Sequence, residues 1–323
     1  MKRSILMASV CMVAAAFATP AAAQEYPTQT IKLVSSFGAG GGSDIIGRII
    51  AARLQEKLGQ SVVVENKPGA GGLLGNEYVA NSPKDGYTIG VQTAGQLITP
   101  VMTKQVRFEA VESFDWIGQI ATVGLIIVVR PDYQYKDIKS LVAAAKADPG
   151  KIVFASPGFG ATQHLAAELF QQVAGVKMLH VPYRTSPEAL ASVLSKNTDV
   201  LFDTATALLG QVQSSAVRAL AVTGKDRDPA APDIPTAAES GVVPNYDVTT
   251  WYGLYGPKGM PPAVIAKLNK TLNEILQEPA TRDRLTKTGV IVKSSTPEEW
   301  HKFMVSEYKK WSGVREAANL EQR

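Results

Sequence analysis

Apolar positions along this chain repeat with two different periods. Short runs rich in β-branched and aliphatic residues, at 30–36, 61–65, 88–93, 126–130, 151–156, 178–181, 201–203 and 219–223, read as strands. Between them the spacing changes to that of a helix. Ile46, Ile50, Leu54 and Leu58 share one face of 44–58, and Leu165, Leu169 and Val173 share one face of 162–174. Gly59 and Gly175 follow as stops. Alternation of this kind predicts an α/β architecture with mainly parallel sheets. The tail reads differently. Residues 230–244 are rich in proline and polar turns and predict a long surface connection, 251–255 a short aromatic strand, and 262–277 and 297–318 amphipathic helices. Thr296-Pro297-Glu298-Glu299 supplies a cap, a proline and a glutamate to start the last helix. No internal repeat or low-complexity tract interrupts the pattern.

Composition narrows the class. With 45% hydrophobic and 19% charged residues the chain is globular, and 323 residues favour two domains over one. The formal charge is +4, and Lys2 and Arg3 supply two of those positive charges. The balance is too weak for a nucleic-acid or membrane-surface footprint. Met1-Lys2-Arg3, an apolar stretch at 5–17, and Ala21-Ala22-Ala23 before Gln24 have the form of a secretory signal peptide, residues 1–23, cleaved on export. The stretch is shorter than the roughly 20 apolar residues of a membrane span. The single cysteine, Cys11, lies inside it, preceded by Val10 where a lipid-attachment site needs a small residue. The exported chain is therefore expected to have no disulfide, thiol nucleophile or thiolate metal site.

The candidate chemistry lies in two strand-to-helix loops. One is Ser35-Ser36-Phe37-Gly38-Ala39-Gly40-Gly41-Gly42-Ser43-Asp44, the other Ala155-Ser156-Pro157-Gly158-Phe159-Gly160-Ala161-Thr162. Glycine lets the backbone approach a ligand closely, and a helix start offers unpaired N–H groups and partial positive charge. Ser43, Ser156 and Thr162 add hydroxyls. Two such loops suggest an anion site shared between two lobes. The anion is not expected to be a nucleotide, because no G-x-x-x-x-G-K-[ST] occurs and Ser43 stands where a dinucleotide fingerprint needs its third glycine. A third stretch, Lys67-Pro68-Gly69-Ala70-Gly71-Gly72, is expected to shape the rim. The three histidines are scattered without metal spacing, so neither metal nor cofactor is expected. No G-x-S-x-G elbow occurs and no histidine is visibly paired with a serine, which argues against an exported hydrolase.

At these residues the sequence resembles the Bug-type periplasmic solute-binding proteins of tripartite tricarboxylate transporters. The resemblance rests on 36–44 with Arg48, Val64-Glu65-Asn66-Lys67-Pro68-Gly69-Ala70-Gly71-Gly72, Pro83-x-Asp85-Gly86-Tyr87-Thr88 and Phe154-Ala155-Ser156-Pro157-Gly158 with His164-Leu165. It continues through His180-Val181-Pro182-Tyr183-Arg184, Phe202-Asp203, 218–223 and Trp251-Tyr252-Gly253. The sequence departs from the family at Ser35-Ser36, commonly Val-Pro. The resemblance implies a two-lobed type II periplasmic binding protein of the Venus-flytrap kind, each lobe a mainly parallel sheet flanked by helices. Lobe 1 would comprise 24–121 and 224–323, and lobe 2 residues 122–223. It further implies a monomeric receptor in the periplasm that closes on a carboxylate and passes it to membrane permease subunits. A sensor feeding a signalling system fits the sequence equally.

The candidate ligand contacts are Ser36, Phe37, Gly40, Gly41, Gly42, Ser43 and Asp44 at the first loop, and Ser156, Phe159, Gly160, Ala161, Thr162 and His164 at the second. Thr93, Ala94, Tyr183, Arg184, Asp203, Thr204 and Trp251 complete the set. Asp44 at a helix start ordinarily serves as a cap or dipole partner, and His164 as a packed histidine. Asp203 suits a ligand amine or a water, or else a loop cap. Phe159, between two glycines, has little local core to enter and could stack on a planar ligand. That motivates an aromatic dicarboxylate such as terephthalate. Aliphatic di- and tricarboxylates and acidic amino acids remain alternatives.

Overall fold

The computed structural model describes residues 26–317 and 322; the expected signal peptide, with Cys11, lies outside the described residues. Ten strands are described: β1 (Ile31–Ser35), β2 (Val62–Asn66), β3 (Thr88–Gln92), β4 (Phe114–Val129), β5 (Val153–Ser156), β6 (Leu179–Pro182), β7 (Val200–Thr204), β8 (Arg218–Val222), β9 (Thr249–Pro257) and β10 (Val290–Val292). The α-helices are α1 (Gly42–Leu58), α2 (Leu73–Ala80), α3 (Gly95–Met102), α4 (Ile138–Ala147), α5 (Thr162–Ala174), α6 (Ser186–Leu194), α7 (Ala205–Gln213), α8 (Pro262–Gln277), α9 (Pro279–Thr286) and α10 (Pro297–Ala317). The periodic segments form where the pattern placed them. Gly59 (φ 70°) and Gly175 (φ 63°) end α1 and α5 in the left-handed conformation that glycine adopts without penalty.

The strands run in the order β2-β1-β3-β9-β4-β7-β5-β6, with β8 and β10 also paired to β4. Pairing is parallel in the two arms, β2-β1-β3 and β6-β5-β7. It is antiparallel where β4 and β9 join them. The 16-residue β4 belongs to both halves: Phe114–Gly124 face β9, and Leu125–Val129 face β7 and β8. The register slips twice where β4 runs against β9, at Ile117 and Ile120, and these extra residues bend β4. Since β1, β5 and β7 are parallel strands leading into helices, their carboxyl ends open onto a crevice suited to ligands.

The apolar core is not confined to one layer. Leu33, Ile46, Ile50 and Leu272 anchor the core of the first half, Phe154, Phe170 and Phe202 that of the second, and Trp300, Trp251 and Tyr255 a cluster under α10. Residues 230–244 are less superficial than expected. Thr236 bridges to Val222, and Ala237 and Val243 are fully buried, because this connection must cover β8. The aromatic strand is longer than 251–255, extending over all of β9.

Candidate functional site

The first loop is braced by its own polar residues. Asp44 accepts hydrogen bonds from Gly40 N–H (3.0 Å), Arg48 Nε (3.0 Å) and Asn66 Nδ2 (2.9 Å). Burial pushes the Asp44 carboxyl up, but these bonds outweigh it and hold the group below its usual range. The hydroxyls that set this chain apart are also committed: Ser35 Oγ lies 2.9 Å from Ser43 Oγ, and Ser36 Oγ donates to Asn76 Oδ1 (2.8 Å). Asn76 Oδ1 accepts from Tyr255 as well. What this loop presents is therefore backbone. Gly41 precedes α1 with no side-chain cap, so the first N–H groups of the helix lack intrahelical partners.

The second loop is built likewise. Ser156 Oγ donates to the Gly158 carbonyl (3.1 Å) and lies 2.8 Å from His180 Nε2. This serine–histidine pair was not legible in the sequence, and it shapes the turn. Gly160 N–H donates to His164 Nδ1 (3.2 Å), which leaves Nε2 to carry the ring proton, 3.5 Å from Glu168. The rings of Phe159, His164, His180 and Phe154 form a packed cluster with successive centroids 4.8, 4.1 and 4.6 Å apart. Phe159 thus has a ring neighbour that the sequence did not suggest, and His164 holds the loop. Ala161 precedes α5 without a side-chain cap, and the buried Thr162 hydroxyl makes no hydrogen bond.

The fold brings these loops to one locus. A Cβ at Gly42 would collide with the Tyr252 hydroxyl and lie 2.6 Å from Thr204 Oγ1; at Gly41 it would lie 3.5 Å from Ser186 Oγ. Around this point the hydroxyls of Thr162, Thr204, Thr206 and Tyr252 and Oδ2 of Asp203 are all buried without a hydrogen bond of ordinary geometry. Burial pushes the Tyr252 phenol up to about 12, a rise tempered by the neighbouring Thr204 and Thr206 hydroxyls. Asp203 is fully buried and its carboxyl is raised, chiefly by desolvation. Buried polar atoms are normally satisfied, so several orphans beside two uncapped helix starts mark a place for a polar guest. Tyr252, Thr206 and Ser186 escaped the sequence reading. Strand alternation was the available signal for Tyr252, which must point away from Trp251's face.

Next to this locus a 230 Å³ cavity is lined by Phe37, Gly69–Gly72, Pro157–Phe159 and Pro182–Arg184. It unites Phe37, Phe159, Tyr183 and Arg184 from the expected set. The third glycine stretch forms its wall, and Gly71 is so close to the second loop that a Cβ there would strike the Phe159 carbonyl. Thr93 accepts from Gly95 N–H (3.3 Å) at the start of α3, near the Phe37 ring. Ala94 is buried and its N–H donates to Thr250 Oγ1 (3.3 Å). Trp251 is spent on the core, edge-on to Trp300 at 5.2 Å. Among the described residues no cluster of three metal-ligating side chains occurs.

Two sheets sharing one long strand, with a polar crevice at the ends of their parallel strands, define a periplasmic-binding-protein fold. A profile of the tripartite tricarboxylate transporter family receptor (TctC) matches residues 46–320, and the chain belongs to that family. It is 31% identical over 316 residues to Protein BugT of Bordetella pertussis, covering 97% of each chain. The solved periplasmic binding protein BugD is 34% identical, with a TM-score of 0.88 over 92% of this chain and all of that one. An R. palustris protein solved with adipate is 29% identical, with a TM-score of 0.88 over 91% of this chain and 99% of that one. With the family goes a receptor's role in periplasmic transport rather than catalysis.

Proposed function

We propose that this protein captures a small dicarboxylate between its two halves and delivers it, as a monomer, to the permease of a tripartite tricarboxylate transporter. The observation that carries the reading is the set of orphaned buried hydroxyls around two uncapped helix starts. One carboxylate would take the N–H groups of 42–44 and 162–164 together with Thr162, Thr204 and Tyr252. The rest of the ligand would lie in the cavity of Phe37, Phe159 and Tyr183, with Arg184 at its mouth. At 230 Å³ this hollow is smaller than the roughly 300–1,000 Å³ pockets of drug-sized ligands and suits a small acid. Its aromatic walls favour a flat diacid such as terephthalate. The adipate bound to the R. palustris relative favours a flexible aliphatic one. Ligand contacts from both halves favour closure, with residues 122–223 moving as one lobe against the remainder.

A thermal-shift screen tests this with terephthalate, phthalate, benzoate, adipate, succinate, malate, citrate, aspartate and glutamate, and nicotinamide as a neutral control. A ligand of the folded state raises the melting temperature. Diacids are expected to stabilise and nicotinamide is not. Terephthalate ahead of adipate supports stacking in the cavity, and the reverse order removes it. No shift with any acid rejects the carboxylate reading.

A further inference from the structure

Asp203 stands at the carboxyl end of β7 with no exposed surface. Its Oδ1 accepts from Gln163 Nε2 (3.1 Å) and from the Thr204 N–H (2.7 Å), while Oδ2 makes no hydrogen bond of ordinary geometry. The groups facing it are Gln163 from α5, the Ser186 hydroxyl from α6, Thr204 from its own strand and the Tyr252 phenol from β9. Of these only Tyr252 titrates, and burial keeps it neutral. Among the described residues Asp203 joins no ion pair. Arg48, beside the first loop, is already bound to Asp44, and Arg184 is exposed at the cavity mouth.

An acid entering the crevice therefore meets a buried carboxyl group with no cation to separate the two. Two carboxylates sharing a buried site do not both ionise. We infer that Asp203 holds a proton whenever an acid occupies the site, so that wherever the free group is ionised a carboxylate ligand enters together with up to one proton taken from solvent. This rests on the carboxylate reading above. Protonated, Asp203 becomes a donor, and Oδ2 offers its O–H to a ligand oxygen where an ionised group would repel it. The burial that already raises the Asp203 carboxyl works in the same direction. The sign follows from linkage. Where free Asp203 is ionised and bound Asp203 is protonated, affinity falls as pH rises, by up to about tenfold per unit.

Titration calorimetry of the wild-type protein tests this with adipate, malate and terephthalate, from about pH 6 to about pH 9, where the acids themselves stay ionised. Each titration is run in two buffers of different ionisation heat. Up to one proton is expected to be taken up per acid bound, with affinity falling towards high pH. Asp203→Asn is expected to abolish the uptake and flatten the profile while still binding at pH 8. Binding without proton uptake and with a flat affinity at every pH up to about 9 overturns the inference, a result that needs no variant. Uptake retained in Asp203→Asn assigns the proton elsewhere and overturns it too. If none of the three acids binds wild type at any pH, the carboxylate reading itself fails and this inference falls with it.

Discussion

Tyr252 carries its hydroxyl into the interior and makes no hydrogen bond of ordinary geometry there, beside Thr204 and Thr206. An unsatisfied buried polar group costs about 1–3 kcal/mol. Tyr252→Phe is therefore expected to raise the melting temperature of the ligand-free protein, by roughly 2–4 °C, and to weaken binding of the stabilising acid about tenfold. Scanning calorimetry with and without acid checks both; a variant that loses stability and keeps affinity would show the hydroxyl to be structural. At this scale the sequence displayed the right residue types and concealed how they are spent. Glycines, serines and threonines announced a polar site. That Ser36 bonds Asn76, 40 positions away, or that His164 turns inward to Gly160, depends on contacts that no local pattern encodes.

The elements were more legible than their polar bonds, because burial imposes a period. The strands and helices that the pattern placed were found to within a residue or two, but α2, α4, α6, α7, α9 and β10 were not placed. The first part of β4 was missed because Asp115, Gly118, Gln119 and Gly124 interrupt its run. The short α3 was missed too, since Pro100 lies inside it. One long-range tie between elements makes a prediction. Glu278, between α8 and α9, receives Arg53 Nη2 (2.9 Å) and Lys57 Nζ (2.9 Å) from α1. The hydrogen bonds from Arg53 and Lys57 hold its carboxyl at about 2, below the ordinary 4.5. A carboxyl depressed by folding stabilises above its unfolded pKa and loses that contribution as pH falls through its folded one. Glu278→Gln is expected to lower the melting temperature by about 1–3 °C at neutral pH. The deficit should shrink below the ordinary 4.5 and vanish near 2. A deficit constant across that range would assign the effect to packing.

Across the whole molecule the halves are tied at several places, and at one of them by a single hydroxyl. Thr99 Oγ1 in α3 is placed to donate to the Gly71 carbonyl (2.9 Å) and to the Gly160 carbonyl of the second loop (3.1 Å). Thr99→Val keeps the shape and removes that link. With about 1 kcal/mol for such a bond, the ligand-free population should shift roughly fivefold towards an open form, and affinity should drop by a similar factor. Small-angle scattering would register a larger radius of gyration for the variant without acid and an equal one with saturating acid. An unchanged radius in both states would leave Thr99 no part in closure.

The shared β4 has a consequence of another kind. Because one continuous run of backbone is built into both sheets, neither half owns a complete set of strands, and each would expose an unpaired edge if the other melted. Severing the chain at the boundary between the halves would split a strand rather than free a domain. The halves are therefore expected to unfold as one cooperative unit, in a single calorimetric transition.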